Sequence, residues 1–508
     1  MADPCYSIPD PDTKAAIIDA LTGLFDGIRQ ETATDAFEVM DSFDWRLFKS
    51  GCLLYKIGHR YQTVDRRTGR PINTLEIRTV KSLRFHWDFP ESAFAAALKR
   101  CLEMRSLMPL GTIQRQIVRH ELLNCDKKIV ARLAMEIYRL NGEDATVRQC
   151  RIRPVRGYEK ATKQIVACLE KMGLQRAEQI PALRLIADSG FAPGVYTSKI
   201  SIALQPDMPA AEALRRIMHQ LLSVMRLNLP GVRDDIDSEF LHDFRVSVRR
   251  ARSLLSQMKG VLDELTTSGL QRQLRSMGAI TGNVRDLDVY LLKKSKYVNL
   301  VPEVLKPGIL QLFRSLQQKR RYAKDRMLNA MQRPDFRAAL SDLDRFVQSD
   351  PLSESSSPDG RRPIGELARA VIYKRYRRVV KKGRRITDAT PDAELHALRI
   401  DCKKLRYLLE FFSSLFPKDQ MKLLIKQLKQ LQENLGDFND LSVQQAFLVQ
   451  YLQSTKPQSV RVVPLAAAIG GLITRLDMEH QRVRSQFLSV FDRFHSKENK
   501  ARFKKLFA

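Results

Sequence analysis

The 508-residue sequence lacks the marks of several large protein classes. Its seven cysteines form no CxxC pair and no Cys/His ligand spacing, and their odd number is typical of reduced thiols rather than a disulfide framework. It shows no Gly-rich phosphate loop, no catalytic triad and no zinc signature. These absences predict a protein that holds no metal and no other cofactor.

Long apolar runs are missing as well. The longest covers residues 462–473 and is interrupted by Pro464 and two glycines, whereas a membrane-spanning helix needs about 20 apolar residues. The first residues, MADPCYSIPDPD, show neither the basic nor the apolar region of a signal peptide. We therefore expect a soluble cytoplasmic protein with no membrane span.

Positive charge, in contrast, is abundant. Lys and Arg number 86 against 57 Asp and Glu, which gives a formal net charge of +29. An excess of this size indicates a polyanionic partner, such as nucleic acid, an anionic membrane or polyphosphate. Composition alone favours nucleic acid.

One basic stretch organises the chain. Residues 241–258, LHDFRVSVRRARSLLSQM, place apolar side chains on one side of a predicted helix. Within about a quarter of the circumference on another side lie His242, Arg245, Arg249 and Arg252. The row is about 15 Å long at the helical rise per residue, and it contains no carboxylate. Because like charges this close repel one another, the row predicts a bound polyanion.

The same stretch occurs a second time, 154 positions later, and His396 aligns with His242. Residues 395–412, LHALRIDCKKLRYLLEFF, repeat both the apolar side and the cations. The offset continues into the following helix, where Asp286 aligns with Asp440. The C-terminal part of the chain is therefore a duplication. We expect the two aspartates to pair with a nearby arginine or to cap a helix.

The predicted secondary structure changes near residue 205, from mixed strands and helices to helices alone. The sequence therefore predicts an α+β multidomain protein. Residues 1–204 mix short strands, turns and helices, with a first helix over residues 14–29, and indicate an α+β domain with an antiparallel sheet. Residues 205–508 are all-α by their periodicity, with a turn at residues 229–231 and a helix break between residues 435 and 440.

The helical part is predicted to consist of two similar four-helix bundles, because each copy of the repeat contains roughly four amphipathic helices. A polar, breaker-rich linker separates the copies. The predicted bounds are about residues 206–348 for repeat 1, about 349–361 for the linker and about 362–500 for repeat 2.

Two N-terminal segments resemble the CYTH family of triphosphate tunnel enzymes. Residues 41–56, DSFDWRLFKSGCLLYK, resemble a strand motif in which an aspartate leads into LRxxGxxLRxR, and residues 151–175 resemble a later strand–helix segment. The resemblance implies an antiparallel β-barrel with helices, whose tunnel binds triphosphate and metal. The ExExK strand of that family is not found, and Lys56 alone stands where the family has two arginines.

We therefore predict a degenerate CYTH-like domain without hydrolytic activity, because two-metal catalysis needs several converging carboxylates. The alternative is that its charged residues are ordinary polar side chains on the solvated face of a sheet. The side chains that could remain from a tunnel are Arg46, Lys56, Glu76, Arg78, Arg132 and Glu136.

The duplicated HxxRVxxRRxR stretch and the RDLDV sequence that follows its first copy resemble the CHAD family over roughly residues 206–500. The resemblance implies bundles related by pseudo-two-fold symmetry, with basic helices lining a concave surface that binds inorganic polyphosphate. It also implies an association with polyphosphate granules. A CHAD domain commonly follows a CYTH domain in one chain, so the two resemblances support each other.

The predicted polyphosphate-binding residues combine the motif positions with nearby cations at helical spacing. Arginine offers a planar fork to phosphate oxygens and lysine a point charge, while histidine donors strengthen on protonation. For any single lysine a solvated surface is the simpler alternative, and each histidine could instead pack its bundle. The residues are His242, Arg245, Arg249, Arg250, Arg252, Arg275, Arg320, Arg321, Lys374, Arg377, Arg378, Lys381, His396, Arg399, Lys403, Lys404, Arg406 and Lys429.

The sequence thus predicts a non-enzymatic protein that binds inorganic polyphosphate on its duplicated basic helices. The first alternative is a metal-dependent inorganic triphosphatase of the CYTH type. The second is a non-specific nucleic-acid binder, which counterion release would favour at low salt. Against it, the basic helices carry few aromatic residues for base stacking. The sequence leaves the oligomeric state open.

Overall fold

A computed structural model describes residues 4–79, 82–141, 145–177, 180–190, 193–349, 357–455 and 462–508. The chain divides into two compact units, Met1–Thr197 and Ser198–Ala508. The first is α+β and the second is helical, which confirms the predicted fold class at this level. Residues 350–356 of the predicted linker lie outside the described residues.

The described part of the first unit forms eight strands and five helices. In chain order they are β1 (Cys5–Ser7), α1 (Pro11–Thr22), β2 (Gly27–Asp41), α2 (Arg46–Lys49), β3 (Cys52–Ile57), β4 (Arg60–Asp65), β5 (Pro71–Glu76), α3 (Ala93–Leu102), β6 (Met108–Leu123), β7 (Ile129–Leu140), β8 (Thr146–Pro154), α4 (Glu159–Lys171) and α5 (Pro181–Asp188).

The eight strands form one antiparallel sheet in the order β1-β8-β7-β6-β2-β3-β4-β5. The edge strands each pair on one side, β1 with β8 and β5 with β4. Both edges are short, at three and six residues, which is typical of strands that end a sheet. The predicted barrel is therefore not seen, and within the described ranges the sheet is open.

The predicted helix over residues 14–29 is wrong in its second half. Helix α1 begins after Asp10, whose carboxylate accepts the backbone N–H of Thr13 at 2.7 Å. It ends at Thr22, and β2 begins at Gly27. The threonines and apolar residues that follow favour a strand, and β2 pairs with β6 along its whole length.

The two faces of the sheet differ in polarity. Helices α1 and α4 bury Ile17 and Ile165 against Val118 and Leu122 of β6 in one apolar core. Side chains alternate between the faces of a strand, so Arg115 and other odd-numbered residues of β6 point to the opposite, charged face. That face contains Arg132 and Glu136, two of the six residues expected to line a tunnel.

The described part of the second unit is all-helical. Its helices are α6 (Ala210–Arg233), α7 (Ser238–Gln257), α8 (Glu264–Ile280), α9 (Gly282–Leu292), α10 (Lys294–Leu300), α11 (Lys306–Gln332), α12 (Pro334–Gln348), α13 (Pro358–Arg361), α14 (Ile364–Gly383), α15 (Asp392–Phe411), α16 (Lys418–Gln453), α17 (Val462–Ser485), α18 (Phe487–Phe494) and α19 (Lys497–Phe507).

The helix boundaries follow the duplication seen in the sequence. Helices α6 and α14, α7 and α15, and α8 and α16 each begin at positions 154 residues apart. The basic helices α7 and α15 are both 20 residues long. Helix α7 packs against α6 and α8, as α15 packs against α14 and α16, and α7 and α15 also contact each other. The pseudo-two-fold relation of the bundles stays a prediction.

The predicted helix break between residues 435 and 440 is wrong, because α16 runs unbroken for 36 residues. In the first repeat the chain does break here, between α8 and α9 at Thr281. The Thr281 hydroxyl donates to the carbonyl of Met277 at 2.8 Å, and such local bonds compete with regular helix geometry. Leu435 stands at the equivalent position and is fully buried, so nothing interrupts the second copy.

The predicted turn at residues 229–231 is also wrong, because α6 continues to Arg233 with Pro230 inside it. Pro230 lies in the last turn of the helix, where it removes one backbone hydrogen bond to residue i−4. A side chain at Gly231 would collide with the ring of Phe240 on α7. The Pro-Gly pair therefore marks a close contact between α6 and α7. Within the described ranges, no helix is both long and apolar enough to cross a membrane.

Candidate anion-binding groove

A groove of about 580 Å³ lies between α7, α8 and α15. The first repeat contributes residues of α7 and α8, and the second repeat contributes residues of α15. The lining consists of Arg249, Arg252, Ser253, Ser256, Gln271, Arg275, His396, Arg399, Ile400, Lys403, Lys404 and Tyr407.

The lining is strongly cationic. It includes six Arg or Lys side chains and one histidine, with no Asp or Glu. The two repeats contribute only partly equivalent positions. Arg249 and Lys403 are equivalent and both line the groove, whereas His242 and Arg245, the equivalents of His396 and Arg399, do not. The duplicated element therefore builds one asymmetric groove.

Several of these cations have no anionic partner. Arg252, Arg275 and Lys403 form no ion pair with a carboxylate anywhere in the described ranges. Burial, reinforced by the charges of Arg399 and Arg249, lowers the pKa of Lys403 to about 8. The cations of the groove therefore repel one another, and a bound polyanion would reduce this repulsion.

The second-repeat cations next to Lys403 are also disfavoured in their charged form. Burial lowers the pKa of Arg399 below its ordinary value, and the charge of Arg249 adds to the effect, although Asp440 opposes it. The Nη2 atom of Arg399 lies 3.6 Å from Asp440 Oδ1, which confirms the expected pairing of that aspartate with an arginine. Burial and the neighbouring Arg375 likewise lower the pKa of Lys404.

Polar neutral side chains in the groove were missed by the sequence prediction. Ser253, Ser256 and Tyr407 provide hydroxyls and Gln271 an amide. Ser253 and Ser256 follow Arg249 at helical spacing on α7, and Tyr407 follows Lys403 by one turn on α15. Extending the predicted row of cations on each basic helix by one turn would have identified Ser253, Ser256 and Tyr407.

The two predicted histidines make equivalent contacts with different chemistry. Arg285 Nη2 lies 2.8 Å from Nδ1 of His242, and because arginine only donates, this nitrogen accepts. Nδ1 of His396 contacts Oδ1 of Asn439, the position equivalent to Arg285. An amide oxygen only accepts, so here the ring donates. Nδ1 of His242 therefore accepts from an arginine, while Nδ1 of His396 donates to an amide oxygen beside the groove.

Other predicted residues lie outside the groove in internal contacts. Arg245 donates to the Gly278 carbonyl at 2.7 Å. Arg250 is buried, donates to the Ser198 carbonyl at 2.7 Å and forms an ion pair with Glu410 at 3.0 Å. These arginines hold helices together, because their donors point to protein acceptors.

Arg320 is likewise engaged within the protein. Its guanidinium donates to Asp288 at 2.6 Å and to both carboxylate oxygens of Asp235. Arg406 pairs with Glu410 at 2.6 Å, and Lys429 lies 3.5 Å from Glu433. None of these three cations lines the groove.

The predicted stripe on α14 divides into exposed and engaged cations. Lys374, Arg377 and Lys381 are exposed, as is Arg321 on α11. Arg378 instead pairs with the buried Asp401 at 3.1 Å. The stripe therefore lies on the surface outside the groove lining.

Asp401 also receives two cations that the sequence prediction did not include. Arg375 and Lys382 lie 2.6 and 2.8 Å from its carboxylate oxygens. Together with Arg378 they fasten α14 to α15 through one carboxylate whose side chain is 4% exposed.

The charged face of the first unit contains a pocket of about 460 Å³, lined by residues of β2, β6, β7 and β8. Of the predicted tunnel residues it includes Arg132 and Glu136. Arg132 pairs with Glu121 across two strands at 3.2 Å. Glu136 is buried and accepts a hydrogen bond from Tyr138 at 2.9 Å. Cross-strand ion pairs thus offset part of the charge of this face, whose pocket lining contains five arginines and three glutamates.

The remaining predicted tunnel residues do not line this pocket. Lys56 on β3 pairs with Glu38 on β2 at 3.0 Å. Arg46 on α2 pairs with Asp44 at 2.9 Å. Glu76 and Arg78 are exposed at and beyond the end of edge strand β5. In the described part of the chain, no group of three or more His, Cys, Asp or Glu side chains is arranged to hold a metal ion.

The fold and the groove define a helical domain with a cationic site made by an internal duplication. Residues 216–449 match the sequence profile of the CHAD domain. The CHAD domain from the plant Ricinus communis, known from its crystal structure, is similar with a TM-score of 0.50 and 25% identity, over 59% of this chain and 96% of that chain. This chain therefore contains a CHAD domain, and all groove-lining residues fall within it.

Two further proteins resemble this chain. PptA from Streptomyces chartreusis is 17% identical with a TM-score of 0.45, over 56% of this chain and all of that chain. An uncharacterized protein of Mycobacterium tuberculosis, found in two strains, is 24% identical over 280 residues. The chain spans about half the length of these curated relatives, at 52%. The resemblance of the first unit to the CYTH family stays a prediction.

Proposed function

We propose that this protein binds inorganic polyphosphate in the groove between α7, α8 and α15. The observation that carries the proposal is the lining, in which six Arg and Lys side chains from both repeats surround one space without a carboxylate. The CHAD family, to which the groove-bearing domain matches, is linked to polyphosphate binding.

The donor set suits a linear phosphate polymer. Arginine forks such as those of Arg252 and Arg399 bind two phosphate oxygens at once, and Lys403 adds a point charge. The hydroxyls of Ser253 and Ser256 donate to further oxygens. The volume of about 580 Å³ lies within the usual range of ligand sites, about 300–1,000 Å³, so the groove takes a segment of the polymer.

The proposed activity is binding without hydrolysis. The groove lining offers no carboxylate that would activate water or hold a divalent metal. A protein that binds the polymer in this way would associate with polyphosphate granules in the cytoplasm.

Titration of the full chain with long-chain polyphosphate tests the proposal. In the groove variant, Arg399→Gln/Lys403→Gln, we expect affinity to fall about tenfold or more, because two charge-assisted contacts are lost. The matched control is the surface variant, Arg321→Gln/Arg377→Gln, which removes two exposed cations outside the groove. We expect it to bind almost as the wild type does. Equal losses in the two variants would refute a dedicated site.

A triphosphatase in the first unit is the enzymatic alternative, and the structure gives it less support. Two arginines of the charged face are paired across strands, Arg119 with Glu31 at 3.6 Å and Arg115 with Asp35 at 2.9 Å. Among the described residues, no cluster of three or more His, Cys, Asp or Glu side chains is placed to hold the metal that such an enzyme needs. Phosphate release from tripolyphosphate in the presence of Mg²⁺ or Mn²⁺ would establish this activity. The groove variant would retain this hydrolytic activity, because its substituted residues lie in the second unit and the alternative places hydrolysis in the first.

A further inference from the structure

A second cationic pocket lies in the helical unit, between α9, α11 and α16. Its volume is about 400 Å³, and it shares no lining residue with the groove. Its lining contains Lys319 and Arg326 but no Asp or Glu. Unlike the groove, it also contains three aromatic rings, Tyr322, Phe447 and Tyr451. Aromatic rings do not contribute to the binding of an inorganic polyanion, so their presence in this pocket needs another explanation.

One wall of the pocket is a single face of α11. Lys319, Tyr322 and Arg326 follow one another at intervals of three and four residues, so they project on the same side of the helix. Tyr322 is 63% exposed, which leaves its ring free to receive a planar partner. In the described part of the chain, neither Lys319 nor Arg326 forms an ion pair with a carboxylate.

The opposite wall is built by α16 and is fixed by ring contacts. Phe447 stacks on Tyr290 with ring centroids 4.1 Å apart, and Tyr451 lies one turn further along, 6.3 Å from Phe447. The ammonium group of Lys319 lies 4.4 Å from the centre of the Tyr451 ring. This cation–π contact orients the lysine at the pocket.

We infer that this pocket binds a free nucleotide, with the base against Tyr322 and Phe447 and the phosphates at Lys319 and Arg326. Aromatic side chains stack on any nucleobase, and cations placed beside them bind the attached phosphate. Asn283 and Gln450 at the rim offer amide donors and acceptors for the edge of a base. The volume lies within the range of small-molecule sites.

The inference does not depend on polyphosphate binding, and its test keeps the two sites apart. A nucleoside triphosphate carries a short phosphate chain that the groove would also attract. We therefore use the groove variant, Arg399→Gln/Lys403→Gln, as the background and titrate the full chain with ATP and AMP. The expected result is that AMP binds to this background as it does to the wild type, and that ATP still binds to it after any binding in the groove is lost.

Substitutions at Tyr322 provide the decisive comparison. Tyr322→Ala removes the exposed ring, and we expect nucleotide affinity to fall roughly 5- to 100-fold, as for other stacked bases. Tyr322→Phe keeps the ring and should restore binding. Neither change should alter polyphosphate affinity or the melting temperature, because the side chain is exposed. In Lys319→Gln/Arg326→Gln, ATP affinity should fall while any affinity for adenosine is kept.

Four results would overturn the inference. The first is no nucleotide binding by the wild type at millimolar concentration. The second is unchanged binding in Tyr322→Ala. The third is binding of a single-stranded oligonucleotide without binding of AMP or ATP, which would indicate a surface for nucleic acid instead. Loss of ATP binding in the groove variant alone would likewise show that ATP is bound through its phosphate chain in the groove.

Discussion

The Nε atom of Arg249 donates a hydrogen bond to the hydroxyl of Tyr407 at 2.9 Å. The residues lie 158 positions apart, one on each basic helix. Both side chains line the groove, so the bond joins the repeats at the proposed site. The duplication therefore produces one shared site and not a separate site in each repeat.

Tyr407→Phe should weaken this junction while keeping the buried ring in place. We expect the free energy of unfolding to fall by about 0.5–1.5 kcal/mol, the usual contribution of one hydrogen bond. Polyphosphate affinity should fall severalfold, because Arg249 loses the group that orients it. Urea denaturation and calorimetric titration measure the two effects. Tyr322→Phe removes an exposed hydroxyl and serves as the control, and equal behaviour of the two variants would contradict the prediction.

The pKa of Lys403 predicts a pH dependence of binding. Burial and the nearby cations lower this pKa from 10.5 to about 8 in the folded protein. Below pH 8 the charged lysine destabilises the fold, and the penalty is relieved as the pH rises from about 8 to 10.5. A bound polyanion raises the pKa again. Binding should therefore take up a proton near pH 8–9, and affinity should decline as the pH rises through this window.

Calorimetry in buffers of different ionisation enthalpy, at about pH 8.5, measures this proton uptake. Lys403→Arg keeps the positive charge at every accessible pH, since arginine does not deprotonate in proteins. The variant should bind polyphosphate without the uptake and without the decline in affinity. Identical uptake by wild type and variant would assign the proton to another group.

Arg250 and Lys404 occupy equivalent positions in the two repeats but should have different roles. Arg250 is buried, donates to the Ser198 carbonyl and forms an ion pair with Glu410, which also pairs with Arg406; removing these bonds costs about 1–3 kcal/mol. Arg250→Met should therefore lower stability strongly, while the folded protein keeps near-normal polyphosphate affinity. Lys404 lines the groove, so Lys404→Met should lower affinity and change stability little. Denaturation and titration of both variants would refute the assignment if the effects were reversed.

Asp401 should control stability on the acid side. Burial raises the pKa of Asp401, but the hydrogen bond and charge of Lys382, together with the charges of Arg378 and Arg375, outweigh burial and lower this pKa below its ordinary value. A depressed pKa contributes stability above the ordinary pKa, and the contribution is lost as the pH falls through the folded value. Asp401→Asn should cost about 3 kcal/mol or more at neutral pH.

The difference between wild type and Asp401→Asn should shrink as the pH falls below about 4. Acid denaturation curves for both proteins measure this convergence. Asp440→Asn is the matched control, because that carboxylate is 54% exposed and makes one ion pair with Arg399 at 3.6 Å, an arrangement that contributes about 1 kcal/mol at most. A constant difference down to pH 3 would contradict the role assigned to Asp401.

Much of the helical unit could be predicted from the sequence, because local signals define it. The two basic helices, their apolar faces and the 154-residue offset all follow from periodicity and repetition. Seven of the predicted residues line the groove: Arg249, Arg252, Arg275, His396, Arg399, Lys403 and Lys404.

What the sequence could not show is the partner of each cation. Arg250 and Arg249 are neighbours in one motif, yet Arg250 meets Glu410, which lies 160 positions away. Arg320 on α11 likewise pairs with Asp235, which lies in the turn between α6 and α7. Charge patterns along one helix do not reveal carboxylates that tertiary packing brings to it. The Pro-Gly pair predicted a turn, whereas the helix continues to Arg233 and Gly231 packs against the ring of Phe240.

The most direct test of the proposed site is calorimetric titration with long-chain polyphosphate at physiological salt, with duplex DNA of matched charge as competitor. The account predicts that wild type and surface variant bind polyphosphate despite the DNA, and that the groove variant loses this binding. Equal affinity for DNA and polyphosphate, or an unaffected groove variant, would contradict a dedicated polyphosphate site and indicate a general basic surface.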